Sequence, residues 1–249
     1  MHPLPDTAAA RVIPPARALK PGLTPGRLLS PDPLAFDRAA QLASVCRDAV
    51  LRRDLFTCRC CGHPSQTDLM ISPTVTAAKT PADFEAICRY CYHVENMEVI
   101  QQSLSGHLAW LPELSQIEIN TNMPFIFAAM PRFGGKVDDK TDALLKVFAT
   151  REEMAAQKLD EGQKNLNDVL KALDEKPQKS ALFLSLFHTG MRIVPRPKWI
   201  ARRGSLTLDD FPALRRRWSR AIRRQGRFAE MALAFSIDDW LTRLDKPSV

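Results

Sequence analysis

The stretch that decides the fold is Cys58-Arg59-Cys60-Cys61-Gly62-His63, answered by Cys88-Arg89-Tyr90-Cys91-Tyr92-His93 after 26 residues that separate Cys61 from Cys88. Each Cys-x-x-Cys turn brings two thiolates to one side of a tight loop, and two such turns supply the tetrahedral sulfur shell that zinc favours. The spacing therefore points to one structural Zn2+ held by Cys58, Cys61, Cys88 and Cys91. Cys60, His63 and His93 stand close enough to be alternative ligands, while Cys46 on the preceding segment reads as a core residue. Four protein ligands leave zinc no open position for water, so a metal bound this way is a scaffold, not a catalyst. Its closure contributes about 10 to 16 kcal/mol of metal-linked folding free energy, enough to organise a region with little apolar core.

Disulfides and a redox dithiol are the competing readings of the same cysteines. The chain opens Met1-His2-Pro3-Leu4-Pro5-Asp6 without the apolar core of a signal peptide, so the expected compartment is the cytoplasm, where disulfides are rare. A thioredoxin-like dithiol needs one pair in a βα context, not two matched pairs. With 45% hydrophobic and 25% charged residues in 249, composition excludes wholesale disorder and a membrane-embedded body. The apolar runs near residues 117–130 and 181–187 are interrupted and fall short of the roughly 20 residues a spanning helix needs.

Outward from the cysteines the chain reads as helical. Eight of nineteen prolines lie in the first 33 residues, so residues 1–31 are expected to be a disordered, Pro-rich tail. Asp32-Pro33 suits a helix start, and Phe36, Leu42, Val45, Cys46, Ala49 and Val50 recur at helical spacing to about Arg53. Between the knuckles, Thr74-Val75-Thr76 reads as a strand. Beyond them, Leu144, Leu145, Phe148, Ala155 and Leu159 form one helical stripe, and Leu166, Val169, Leu170 and Leu173 another. Ser180 to Phe187 reads as a short apolar helix ended by Gly190, and Thr207 to Asp210 and Ser236 to Asp239 carry helix-start patterns. The expected class is α+β, mostly α: a small ββα zinc-knuckle module surrounded by helices.

Arg53-Asp54-Leu55-Phe56-Thr57-Cys58 with Cys61-Gly62, then Ala86-Ile87-Cys88 and Cys91, resembles the zinc-bearing form of the HNH endonuclease fold. That resemblance implies an Asp-His pair on the strand after the first knuckle, the His activating water and the acid helping to hold a metal. Aligning Leu69-Met70-Ile71 with that strand puts Ser72-Pro73 in those places, and neither serves as general base or hard-cation ligand. The expectation is a protein that is not an enzyme. Leu108-Ala109-Trp110-Leu111-Pro112-Glu113-Leu114-Ser115-Gln116 and Met191-Arg192-Ile193-Val194-Pro195, added to the knuckles, resemble the IcmJ/DotN family of type IVB (Dot/Icm) secretion systems over residues 36–203. The resemblance implies a degenerate HNH-like zinc core wrapped by helices over 32–203. It implies an adaptor of the coupling complex, cytoplasmic and peripheral to the inner membrane, that binds the C-terminal region of the coupling ATPase and other coupling-complex subunits.

Residues 204–249 lie beyond that resemblance as an Arg-rich helical extension. From Arg192 to Arg227 eleven Arg and one Lys face two Asp, a surplus of +10 in a chain whose net charge is +7, so the rest sums to −3. Arg215, Arg216 and Arg217, with Arg220, Arg223, Arg224 and Arg227, could meet an acidic protein, anionic lipid headgroups or nucleic acid, since long-range attraction does not separate these targets. A nucleic-acid-binding zinc protein of a conjugation system is thus the alternative function, and a nuclease with relocated groups a more distant one. Trp218 belongs with Phe211, Leu214, Ala221 and Ile222 to a buried stripe, Trp110 reads as a core or interface anchor, and His107 and His188 carry no assigned role.

Overall fold

The computed structural model of the chain describes residues 33–74, 78–95, 106–130, 137–159, 168–169, 171–172, 180–196, 200–203, 206–209, 211–224 and 226–245. The Pro-rich tail, Val75 and Thr76, and Leu166, Leu170 and Leu173 of the second stripe lie outside them. The class is α+β and mostly helical, with three separate two-stranded antiparallel sheets among the described residues.

Helix α1, Pro33–Arg53, leads into the first knuckle. Cys46 and Val50 are buried as expected, together with Ala43 and Leu51, whereas Val45, expected inside, is 83% exposed and Ala49 is exposed as well. The helix ends with Leu55 N–H on the Arg52 carbonyl and Phe56 N–H on the Leu51 carbonyl, the paired bonds of a Schellman turn. Leu55 and Phe56 occupy the left-handed region, at φ 54° and 51°. The Arg53-Asp54 pair then staples helix to sheet. Arg53 donates to the carbonyls of Pro81 and Phe84, and the Asp54 carboxylate accepts the Ala86 N–H at 2.8 Å.

Strand β1, Leu69–Pro73, pairs with β2, Phe84–Cys88, in the register Ser72 opposite Glu85 and Pro73 opposite Phe84. The described strand precedes the one expected at Thr74–Thr76, of which Val75 and Thr76 lie outside the described residues. Thr74, just past the strand, donates its N–H to the Asp83 carbonyl at 2.7 Å, next to the 3-10 turn Pro81–Asp83 that precedes β2. Helix α2, Arg89–Glu95, completes a ββα unit.

The second sheet joins β3, Gly106–Trp110, to β4, Met191–Pro195, with Leu108 opposite Ile193. Between them run α3, Gln116–Ala129, α4, Asp139–Lys158, and α5, Ser180–Thr189. Helix α4 buries Leu144, Phe148 and Ala155, as its stripe requires. Gly190 closes α5, where an added Cβ would lie 2.9 Å from the Pro112 Cβ.

A hairpin follows, β5, Ile200–Arg203, with β6, Leu206–Asp209, and then α6, Phe211–Ile222, α7, Arg227–Ala234, and α8, Ile237–Leu244. Thr207 lies inside β6, opposite Arg202, so the capping pattern read at Thr207–Asp210 belongs to a strand and the helix starts at Phe211. Ser236 does cap α8, accepting the Asp239 N–H. The boundary expected at residue 204 falls within this hairpin. Leu214, Trp218, Trp240 and Leu244 from beyond it share one core with the cysteines and α3.

Candidate metal centre

The first knuckle is made by backbone geometry. Cys58 N–H bonds the His63 carbonyl at 2.8 Å, Gly62 N–H returns to the Cys58 carbonyl at 2.9 Å, and Gly62 takes φ 75°, a value that suits glycine. Arg59 N–H on the Ala86 carbonyl fastens this loop to β2, whose last residue is Cys88. Cys91 stands in the first turn of α2. Two loops built independently are thereby held face to face.

The ligand atoms of Cys58, Cys61, Cys88 and Cys91 all lie within 4.8 Å of one another, and all four residues are buried. A tetrahedral site with metal–sulfur bonds of about 2.3 Å needs sulfurs about 3.8 Å apart. Cys61 Sγ and Cys88 Sγ are 3.6 Å apart, and none of the six cysteines is in a disulfide. The four residues expected as ligands are the four that converge, and they could hold a metal ion. The group includes neither histidine nor Cys60. Burial holds the His63 pKa down to about 4 and that of His93 to about 3, so both rings are neutral at pH 7.

The sulfurs share their protons unequally. Burial penalises the Cys58 thiolate, but hydrogen bonds from Cys60, Cys61, Cys88 and Cys91 outweigh that cost and hold its pKa well below the ordinary thiol range. Hydrogen bonding to Cys58 pushes Cys61 and Cys91 well up in turn. Protons and a metal thus compete for the same sulfurs, and binding must expel protons.

Helix α3 supplies polar groups that the cysteine pattern does not reveal. Asn120, fully buried, donates Nδ2–H to Cys91 Sγ at 3.3 Å, and Thr121 donates its hydroxyl to the Cys61 carbonyl. Gln116, one turn back, bonds Asn120 Oδ1 at 2.9 Å. The available signal was Ser115-Gln116-Ile117-Glu118, a capping box that starts α3 at Gln116 and puts residues 116 and 120 on one face.

Tyr90, between the cysteines of the second knuckle, stacks on Trp218 of α6 at 5.6 Å and 26°. This sets the orientation of the arginine cluster. Arg215 donates to the Met130 carbonyl at 2.8 Å, and Arg217 pairs with Asp68 at 2.6 Å. Arg216, Arg220, Arg223 and Arg224 are exposed.

Ser72 is buried in β1 and Pro73 ends that strand. No described helix is long and apolar enough to cross a membrane. Comparison of the chain with protein-family models and with curated proteins gives no match.

Proposed function

We propose that the cation is Zn2+ and that the protein is a non-enzymatic adaptor subunit of a type IVB secretion, or related conjugation, coupling complex. In this role the zinc-stabilised scaffold binds the C-terminal region of the coupling ATPase. The observation that carries the reading is the convergence of three segments far apart in the sequence. Leu108–Trp110 pairs with Met191–Ile193, Gln116 bonds the backbone of Ile193, and Asn120 of the same helix bonds Cys91. The pieces on which the IcmJ/DotN resemblance rests thus form one connected unit. Sulfur-only ligation supports a structural metal, and Ser72-Pro73 offers no general base where an HNH nuclease has its Asp-His pair. An extended ATPase segment would dock by strand addition or as a helix in a groove.

Co-purification of the tagged full chain with the coupling ATPase, with and without its C-terminal tail, tests this. Capture that needs the tail is expected; equal capture without it overturns the reading. Metal analysis of the wild type and of Cys88→Ser tests zinc: one per chain against none.

A specific observation keeps the nucleic-acid alternative in view. Arg216 and Arg220 stand four residues apart, about 6 Å along the axis, on the outward side of a helix docked against the knuckle, and Arg224 follows just past the end of that helix. Arg215 and Arg217 are fold contacts, so their replacement confounds binding with stability. The informative variant is Arg216→Ala/Arg220→Ala/Arg224→Ala, with salt-dependent binding of duplex or single-stranded DNA as the readout.

A further inference from the structure

We propose that Gln116 and Asn120 are a hydrogen-bonded relay that fixes the metal centre to the β3–β4 sheet, with Asn120 the positioning residue for the Cys91 thiolate. The proposal rests on the reading above of a metal held by four cysteines.

Hydrogen-bond logic alone sets the orientation of both amides. The backbone N–H of Ile193 can only donate, and it meets Gln116 Oε1 at 2.8 Å. The other end of the Gln116 amide must then be Nε2, which reaches the Ile193 carbonyl at 2.7 Å and Asn120 Oδ1 at 2.9 Å. With its oxygen turned to Gln116, Asn120 has no choice but to present Nδ2–H to Cys91 Sγ, 3.3 Å away. Gln116 and Asn120 are both buried, so these bonds within the protein satisfy groups that are withdrawn from bulk solvent. Neither amide can flip without placing two donors or two acceptors against each other. The geometry thus aims one neutral donor at one sulfur and anchors it, through Gln116, in a backbone 77 residues further along the chain.

Two consequences distinguish a relay from ordinary core packing. An N–H···S bond withdraws charge from the thiolate, so it alters the electronic state of the metal–sulfur bond and not only the stability of the fold. In addition, Ile193 faces Leu108 across the sheet, and its outward N–H and C=O form the β4 edge that Gln116 closes. Metal, helix α3 and sheet edge are then one hydrogen-bonded unit.

The test uses full-length protein loaded with Co2+, whose sulfur-to-metal charge-transfer and ligand-field bands report on the thiolates. Asn120→Ala is expected to shift the charge-transfer band and weaken Co2+ binding by about 10- to 100-fold. Gln116→Glu, which keeps the acceptor for Ile193 N–H but loses the donors to Asn120 Oδ1 and to the Ile193 carbonyl, is expected to shift the band in the same direction by less. Phe183→Leu, in the apolar cluster away from the cysteines, is the stability control and should leave the spectrum unmoved. If the two relay variants retain the wild-type spectrum and affinity, the relay is refuted while the metal centre stands. A wild type that takes up neither Co2+ nor Zn2+ overturns the metal reading itself, and the relay with it. Should Asn120→Ala fail to fold, Gln116→Glu decides alone by the same spectral criterion.

Discussion

Replacing Trp218 by alanine separates a structural α6 from an appended one. Its side chain is 6% exposed and stacks on Tyr90, which lies between two of the metal-site cysteines. Truncating a buried Trp costs about 3 to 5 kcal/mol, because transfer free energy is lost and the surroundings collapse only in part. An offset aromatic pair adds about 0.5 to 1.5 kcal/mol to simple burial, which puts this site in the upper part of that range. Each 1.4 kcal/mol is roughly a factor of ten, so the unfolding equilibrium should move by about three to three and a half powers of ten. Urea unfolding followed by far-UV circular dichroism measures the shift, and release of bound metal to a chromogenic chelator measures the local one. Faster metal release is expected, because the second knuckle loses the ring packed over it. Arg216→Ala on the exposed side of the same helix should stay within about 0.5 kcal/mol of wild type. If Trp218→Ala is as stable as Arg216→Ala and keeps its metal equally well, α6 is not part of the core and the reasoning fails.

Three further perturbations probe other joints. Gly190→Ala forces a Cβ to within 2.9 Å of the Pro112 Cβ and 3.1 Å of the Trp110 ring, and thermal melting should report a loss of about 1 to 3 kcal/mol; an unchanged melt would mean that the loops part freely. Arg151→Met removes the ion pair of the partly buried Glu113 carboxylate at 2.7 Å, at a cost of about 1 to 3 kcal/mol in urea titration. Adding Glu113→Gln should recover part of that loss, and no recovery would deny the pairing. His107 has its pKa lowered from 6.5 to about 4, by burial first and Arg196 second, so the unfolded chain binds the extra proton. Its contribution is complete above pH 6.5 and disappears as pH falls towards 4, worth at most roughly 3 kcal/mol because Glu152 stands 3.8 Å away to receive the charged ring. Wild type should therefore lose more stability than His107→Gln between pH 7 and pH 4.5, and parallel losses would contradict it.

What the sequence made legible was local in origin. Cys-x-x-Cys spacing is a property of a single turn, so the four converging sulfurs could be named before the loops that carry them were known. The same holds for α4, where leucine and phenylalanine at helical intervals leave one packing solution. Failures came where a short pattern had two solutions that only tertiary contacts separate. Thr207-Leu208-Asp209 suits a helix cap, but it also alternates well enough to pair with Ile200–Arg203, and pairing won. Val45 fits the apolar period of α1, yet the contact of that helix with β1 and β2 buries Ala43 along with the expected Cys46 and Val50 and leaves Val45 outside. Asn120 was hidden for a different reason. A buried amide carries no periodic signal, and its partner sulfur is 29 positions away.

The arginine cluster shows the same limit from the side of charge. Arg215, Arg216 and Arg217 are chemically equivalent in the sequence, and net charge cannot tell a contact that builds the fold from one that awaits a partner. Helical geometry divides them. With Trp218 and Leu214 turned inward, Arg215 and Arg217 flank the buried face and reach Met130 and Asp68, while Arg216 is left in solvent with Arg220. Part of the +10 surplus is therefore an internal quantity, consumed in joining α6 to α3 and to the segment before β1. The remainder is a cationic surface on a helix that packs on the four-cysteine module through Trp218 and Tyr90. Loss of the metal should then disturb that surface as well as the knuckles, which makes metal occupancy and any binding through Arg216 and Arg220 linked quantities and not independent ones.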